Sequence, residues 1–336
     1  MTGMPCPVPQ PPPMLEGQRP GRAEEERGRA MLTTTAHPAQ GTPAPGGLSP
    51  GVRRITLEAV GGIPLSALLS EPADGRPPRA TVVALHGGGM SAGYFDGQAH
   101  PDVSLLTLGA RLGYAVLALD RPGYGASAPH LPTGQHLLEQ VATVRSALAD
   151  AQARHVPGPL FLLAHSFGGK LALALAADAS SDDFLGLDIS GCGHRPAASV
   201  ALLGPGARTG LRRLNWGPLS LYPDGTFREA AAVVAPMPDQ EIASAQEWSG
   251  LSARLLPRVA VPVRFTFAEH EAWWCQSDAD LTDLAAQLSA APRVLVDRLA
   301  GAGHNISLGR AARAYHLRAL AFLDECLGDG APSAAR

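Results

Sequence analysis

Ser166 lies in the run Ala-His-Ser-Phe-Gly-Gly at residues 164–169, and His304 closes the run Gly-Ala-Gly-His at residues 301–304. A hydroxyl and an imidazole on two such turns point to nucleophilic attack on a carbonyl. A serine hydroxyl is a weak nucleophile until a base takes its proton, so it must be held where an imidazole can reach it. A sharp turn from strand to helix does this, and crowding at such a turn demands small residues two before and two after the serine. Ala164 and Gly168 hold those places; the usual first residue is glycine, so the chain departs by one methyl group. A further run, His86-Gly87-Gly88-Gly89, follows an apolar stretch. Glycines there let backbone N–H groups face a cavity with no Cβ in the way, and two N–H groups aimed at one point would hold an oxyanion. Phe167 would supply one, and Gly88 or Gly89 the other.

Several elements must position these groups. Apolar runs at 80–85, 115–119, 160–164, 184–190, 261–267 and 293–298 read as strands. Helices are expected at 104–112, 134–153, 167–179, 278–289 and 311–327; in the second, Leu137, Leu138, Val141, Val144 and Leu148 recur at helical spacing. Strands alternating with helices imply an α/β fold with a parallel sheet covered on both faces. Two antiparallel strands, 54–60 and 63–70, meet at Gly61-Gly62 and open the fold. The stretch 191–257 breaks the alternation. It carries Trp216, Leu219, Leu221, Tyr222, Phe227 and Trp248 among prolines, and reads as a partly helical lid. Apolar groups on a lid would line a pocket and exclude water, with Trp216 and Tyr222 expected against substrate.

Four motifs stand in order: His86-Gly-Gly-Gly89, Asp120-Arg-Pro-Gly-Tyr-Gly-Ala-Ser127, residues 164–169, and Gly301-Ala-Gly-His304. In these the chain resembles the α/β-hydrolase superfamily over residues 53–327. The resemblance implies the α/β-hydrolase fold, a core of residues 51–190 and 258–330, and a cap at 191–257. It also implies the order Ser166, acid, His304. After the strand ending near Ala268, members often read Gly-x-x-Asp; here Ala268-Glu-His-Glu271 puts Glu271 in that place, with Glu269, Asp278 and Asp188 as alternatives. Trp273 and Trp274 follow directly, and Trp273 is expected to meet substrate. Asp120 would accept backbone hydrogen bonds while the glycines after it turn the chain. His165 and His86 read as structural, His270 as a surface residue, and Lys170 as a packing or surface residue rather than a catalytic amine. Members acting as epoxide hydrolases or dehalogenases carry Asp where this chain has Ser166. The implied activity is hydrolysis of an ester or thioester through an acyl-serine. A biosynthetic acyltransferase or cyclase, a carbon–carbon hydrolase or lyase, and a non-catalytic ligand-binding member are the alternatives.

Composition bounds the partners. The 336 residues are 45% hydrophobic, enough for one large α/β domain with an insertion, and the net charge of −3 gives no sign of a nucleic-acid partner. Cys6, Cys192, Cys275 and Cys326 have no paired spacing, which excludes a cysteine zinc motif and fits a reducing, cytoplasmic setting. No apolar run approaches the ~18 residues of a membrane span. Residues 1–50, rich in Pro, Gly, Arg and Glu, read as a disordered leader. A small-molecule acyl substrate, free or carrier-bound, is the expected partner, and the chemistry calls for no cofactor or metal. Lys170 is the single lysine of the chain.

Overall fold

The computed structural model describes residues 47–178, 183–199, 208–229 and 232–329. The expected leader falls, up to residue 46, outside them. β1 (Arg53–Ala59) and β2 (Ile63–Ser70) pair antiparallel across a 3-10 turn in which Gly61 and Gly62 take positive φ. β3 (Thr81–Leu85), β4 (Ala115–Leu119), β5 (Leu160–His165) and β6 (Leu187–Ser190) are buried along their whole length, as strands covered on both faces must be. β7 (Val263–His270) and β8 (Val294–Gly303) complete a sheet of order β1-β2-β4-β3-β5-β6-β7-β8. β2 meets β4 antiparallel; from β4 to β8 all neighbours are parallel. β8 runs to Gly303, past the expected end at 298, because it follows β7 across a bulge near Ala268 and His270.

Side chains alternate across the strands. Val83, Leu85, Leu162 and Ala164 point to one face, where α2 (Leu137–Arg154) and α3 (Phe167–Ala177) pack. Val82, Ala84, Phe161 and Leu163 point to the other, covered by α1 (Leu105–Arg111) and α8 (Ala312–Asp329). The expected lid contains α4 (Arg208–Trp216), α5 (Thr226–Glu229) and α6 (Asp239–Leu255); α7 (Asp278–Gln287), capped by Ser277, follows β7. No described helix is long and apolar enough to cross a membrane.

His86, Ser166 and Gly191 each come directly after the C-terminal end of a parallel strand, as does His304 after β8, and Glu271 comes directly after β7. Ligands of open α/β sheets bind at that edge.

Candidate active site

The turn at Ser166 has a constrained backbone. Ser166 has φ +53° and ψ −114°, and is the one non-glycine with positive φ among the described residues. Such a conformation costs of order 1–3 kcal/mol and persists where its surroundings hold it. Here the Ser166 N–H donates to the Ser190 carbonyl at 2.8 Å, and the Ser166 carbonyl accepts from Gly169 N at 2.9 Å. Gly168 shows why the small residue is needed: a Cβ there would lie 2.2 Å from the Leu85 carbonyl oxygen. Alternation along β5 sends Ala164 to one face and His165 to the other, where His165 stacks on Tyr94 and bonds Ser190 Oγ at 3.1 Å.

The turn and the two loops after β7 and β8 bring three side chains together. His304 Nε2 lies 3.2 Å from Ser166 Oγ, although the two are 138 positions apart, and His304 Nδ1 lies 2.7 Å from Glu271 Oε2. Glu271 Oε1 accepts from the Trp273 N–H at 2.8 Å, which fixes the carboxylate. All of His304 and Glu271 but a few per cent is buried. A carboxylate on Nδ1 holds the proton there and leaves Nε2 free to take one from the hydroxyl. Of the other carboxylates weighed, Asp188 is bound to Arg264 inside the sheet, Glu269 accepts from the Gly301 N–H at the surface, and Asp278 pairs with Arg298 in solvent. Gly191, which no sequence signal marked, lets the imidazole in: its φ is +58°, and a Cβ there would lie 2.9 Å from His304 Cε1.

The glycine turn is held from behind. Gly89 donates its N–H to Tyr124 Oη at 3.0 Å, so this amide is committed away from the serine and the expectation for Gly89 is corrected. Gly88 lines the cavity beside Ser166 and Phe167, and the Phe167 N–H is one of the amides a helix start leaves without an internal partner. The peptide plane joining Gly87 and Gly88 is pinned at its carbonyl. Arg121 donates to that oxygen from Nη2 at 3.1 Å, and to His86 O from Nε at 2.7 Å. His86 Nε2 accepts from Arg121 N at 3.0 Å, so its proton sits on Nδ1, which donates to the Gly87 carbonyl at 2.8 Å. Burial, then the Arg121 charge, holds His86 well below its ordinary pKa and keeps it neutral. Since the peptide is planar, fixing the carbonyl aims the Gly88 N–H the opposite way.

Arg121 in turn is held by α6. Its Nη1 and Nη2 contact Glu241 of α6 at 2.6 and 2.9 Å, and both side chains are fully buried. Burial alone would lower the Arg121 pKa; Glu241, with Tyr124, more than offsets it, and the net shift is upward. Tyr124 Oη donates to Glu241 Oε1 at 2.8 Å while accepting from Gly89. Arg121 lies within the Asp120–Ser127 motif, but nothing in the sequence points to Glu241, 120 positions away. Asp120 accepts from Ala92 N and Ser66 Oγ, as its turn requires.

A cavity of about 90 Å³ opens over Ser166, lined by Gly88, Lys170, Met237, Trp248, Trp273 and Trp274 among others. Trp273 is anchored by its Nε1, which donates to Asn215 Oδ1 at 2.8 Å. Trp216 and Tyr222 do not line this cavity, which corrects the expectation for both. Asn215 of α4 faces it, and adjacent residues of a helix cannot share a face. Trp216 instead packs edge-on against Tyr222 and Phe227, with ring centroids 5.2 and 5.0 Å away. A larger cavity, about 240 Å³, lies near Asp96 and Thr226 and contains none of Ser166, Glu271 and His304. Of the two readings weighed for Lys170, the surface one is set aside: it is buried among aromatic rings and lines the serine cavity.

Residues 82–316 match the model of the alpha/beta hydrolase family. No curated protein matched the chain in sequence. Among solved structures, a highly thermostable carboxyl esterase from Bacillus coagulans in complex with glycerol is 16% identical, with a TM-score of 0.62 over 83% of this chain and 100% of that one. The thioesterase domain from the curacin biosynthetic pathway is 20% identical, TM-score 0.55, over 80% and 99%. A variant of AqdC, which cleaves the ring of the Pseudomonas quinolone signal, is 19% identical, TM-score 0.61, over 83% and 100%. At these identities the likeness is one of fold.

Proposed function

The chain belongs to the alpha/beta hydrolase family, and from that footing we propose that it is a serine hydrolase cleaving an ester or thioester of a small to medium apolar substrate through an acyl-serine. The observation that carries this is the hydrogen-bonded relay from Glu271 through His304 to Ser166, at 2.7 and 3.2 Å. Ser166 Oγ attacks the carbonyl carbon as His304 Nε2 takes its proton, and Glu271 stabilises the imidazolium. The oxyanion is met by the N–H groups of Phe167 and Gly88. His304 gives its proton to the leaving alcohol or thiol; water, activated by the same imidazole, then releases the acid and restores the serine. Trp273 and the apolar wall of the cavity hold the substrate and keep bulk water out.

A fluorophosphonate probe should label Ser166, and Ser166→Ala should lose both labelling and turnover of short p-nitrophenyl esters. Full turnover by the alanine variant would remove the serine mechanism. Carbon–carbon cleavage on the same relay is the second reading, supported by the ring-cleaving neighbour. It predicts slow ester turnover beside faster loss of a β-diketone.

A further inference from the structure

Lys170 is the one lysine in a chain whose other permanently charged basic side chains are all arginine. It sits one turn into α3, on the helix that presents Ser166, and it is 6% exposed. Its Nζ stands over three aromatic faces, Phe167 at 5.3 Å, Trp274 at 5.4 Å and Trp248 at 5.7 Å. It has no hydrogen-bonded or ion-paired partner among the described residues. The charged or titratable groups near it are Cys192, Glu241 and Arg121, and the Glu241 charge is already matched by Arg121 in a two-point contact. Lys170 is therefore the uncompensated cation of this site, and burial pulls its pKa down to about 8.

A buried ammonium with no counter-charge is unfavourable, and ring faces repay only part of the lost hydration. A Leu or Met would fill the same aromatic slot at no such cost. An anion would supply the counter-charge, and the cavity that Lys170 lines together with Ser166 gives it a way in. The two stand four positions apart along the chain, about 6 Å of axial rise, a separation that a short substrate spans.

Resting on the serine-hydrolase reading above, we propose that Lys170 is the recognition group of the cavity and takes a carboxylate borne by the ester substrate. An apolar body lies against the tryptophans, the scissile carbonyl meets Ser166, and the carboxylate meets the ammonium. The anion can stand on the acyl side, as in a half-ester of a short dicarboxylic acid, or on the alcohol side.

The test is the ratio of kcat/KM for matched anionic and neutral esters. The acyl-side pair is p-nitrophenyl hemiglutarate against p-nitrophenyl butyrate; the alcohol-side pair is 3-carboxyphenyl butyrate against phenyl butyrate. Wild type should prefer the anion in one pair. Lys170→Met should lower that ratio by about 10- to 100-fold, the range of a hydrogen bond to a charged group, and Lys170→Arg should retain part of it. A wild-type ratio at or below one in both pairs, or a ratio unmoved by Lys170→Met, overturns the assignment. Fluorophosphonate labelling separates the two levels: a wild type that is labelled yet shows no anionic preference sinks Lys170 alone, whereas one that is not labelled sinks the serine reading and Lys170 with it. Should the variants not fold, wild type suffices. Selective 13C labelling of lysine gives a single side-chain resonance; its titration midpoint should rise when monomethyl glutarate is added, and an unmoved midpoint overturns the assignment.

Discussion

Arg121 and Glu241 form a fully buried ion pair whose guanidinium also grips the carbonyls of His86 and Gly87, so stability and catalysis should separate when the pair is dismantled in steps. Glu241→Met leaves a buried guanidinium without its carboxylate, and Arg121→Met leaves the carboxylate with only Tyr124 and Gln140. Breaking one side of such a pair costs about 3–5 kcal/mol, or roughly 6–20 °C in Tm for a domain of this size. The double variant replaces both charges with apolar groups of similar volume, and such replacements are often neutral or stabilising. Its loss should fall well short of the summed singles, leaving a coupling energy of several kcal/mol in a double-mutant cycle by denaturant titration. Turnover should not recover with it. Without Arg121 the peptide at Gly87 keeps only the His86 donor, the Gly88 N–H loses its aim, and kcat should stay about 10- to 100-fold down, bounded by the loss of one oxyanion donor. Losses that simply add would show that the charges do not act as a pair. A double variant with wild-type kcat would show that Arg121 does not position the glycine turn.

Glu271→Gln should keep the fold and lower kcat by about 10²–10⁴, since an amide no longer stabilises the correct imidazole tautomer; the measurement is kcat on an ester alongside far-UV circular dichroism. Gly191→Ala should lower kcat and cost about 1–3 kcal/mol, because a Cβ in this left-handed backbone would sit 2.9 Å from the His304 ring; a variant with normal activity and Tm would contradict the packing described. The Lys170 pKa, near 8 in the fold against 10.5 for the free side chain, sets a direction for stability. Between those values the unfolded chain keeps a proton that the folded chain gives up, so raising the pH stabilises the fold. The stability of wild type relative to Lys170→Met should therefore climb from pH 8 to 10.5 by less than about 3 kcal/mol, the full linkage value, because the ring faces favour the ammonium. A gap that narrows or stays flat over that range would contradict it.

Local features of the site were legible in the sequence because their causes are local. The turn at Ser166 needs small neighbours within two residues, and the glycines after β3 and before His304 mark loops whatever packs on them. Strand positions followed from runs that are mostly apolar, since both faces of these strands are covered; the polar exceptions, Asp188 of β6 and Arg264 of β7, meet each other inside the sheet. The residues that pattern did not place owe their positions to distant partners. Glu241 reads as an ordinary polar residue near a helix start until Arg121 meets it. Trp216 and Tyr222 looked like pocket aromatics, yet the facing of α4 turned Asn215 to the cavity and Trp216 away. Gly191 carried no motif because what requires glycine there is the ring of a residue more than a hundred positions later. Lys170 read as a packing or surface residue, and only three surrounding rings reveal how far it is sunk.

The rooting of α6 by Glu241 bears on whether the segment between β6 and β7 is an interchangeable part. A chimera that exchanges residues 191–257 for another roof would strip Arg121 of its counter-ion unless the donor segment supplied an acid at the matching point. Such a graft would fail by loosening the glycine turn beneath it, however well the new roof suited its intended ligand. Redesign of selectivity has more room at the cavity wall, at Ala245, Ser249 or Trp273, where side chains face the ligand space without anchoring the amide donors.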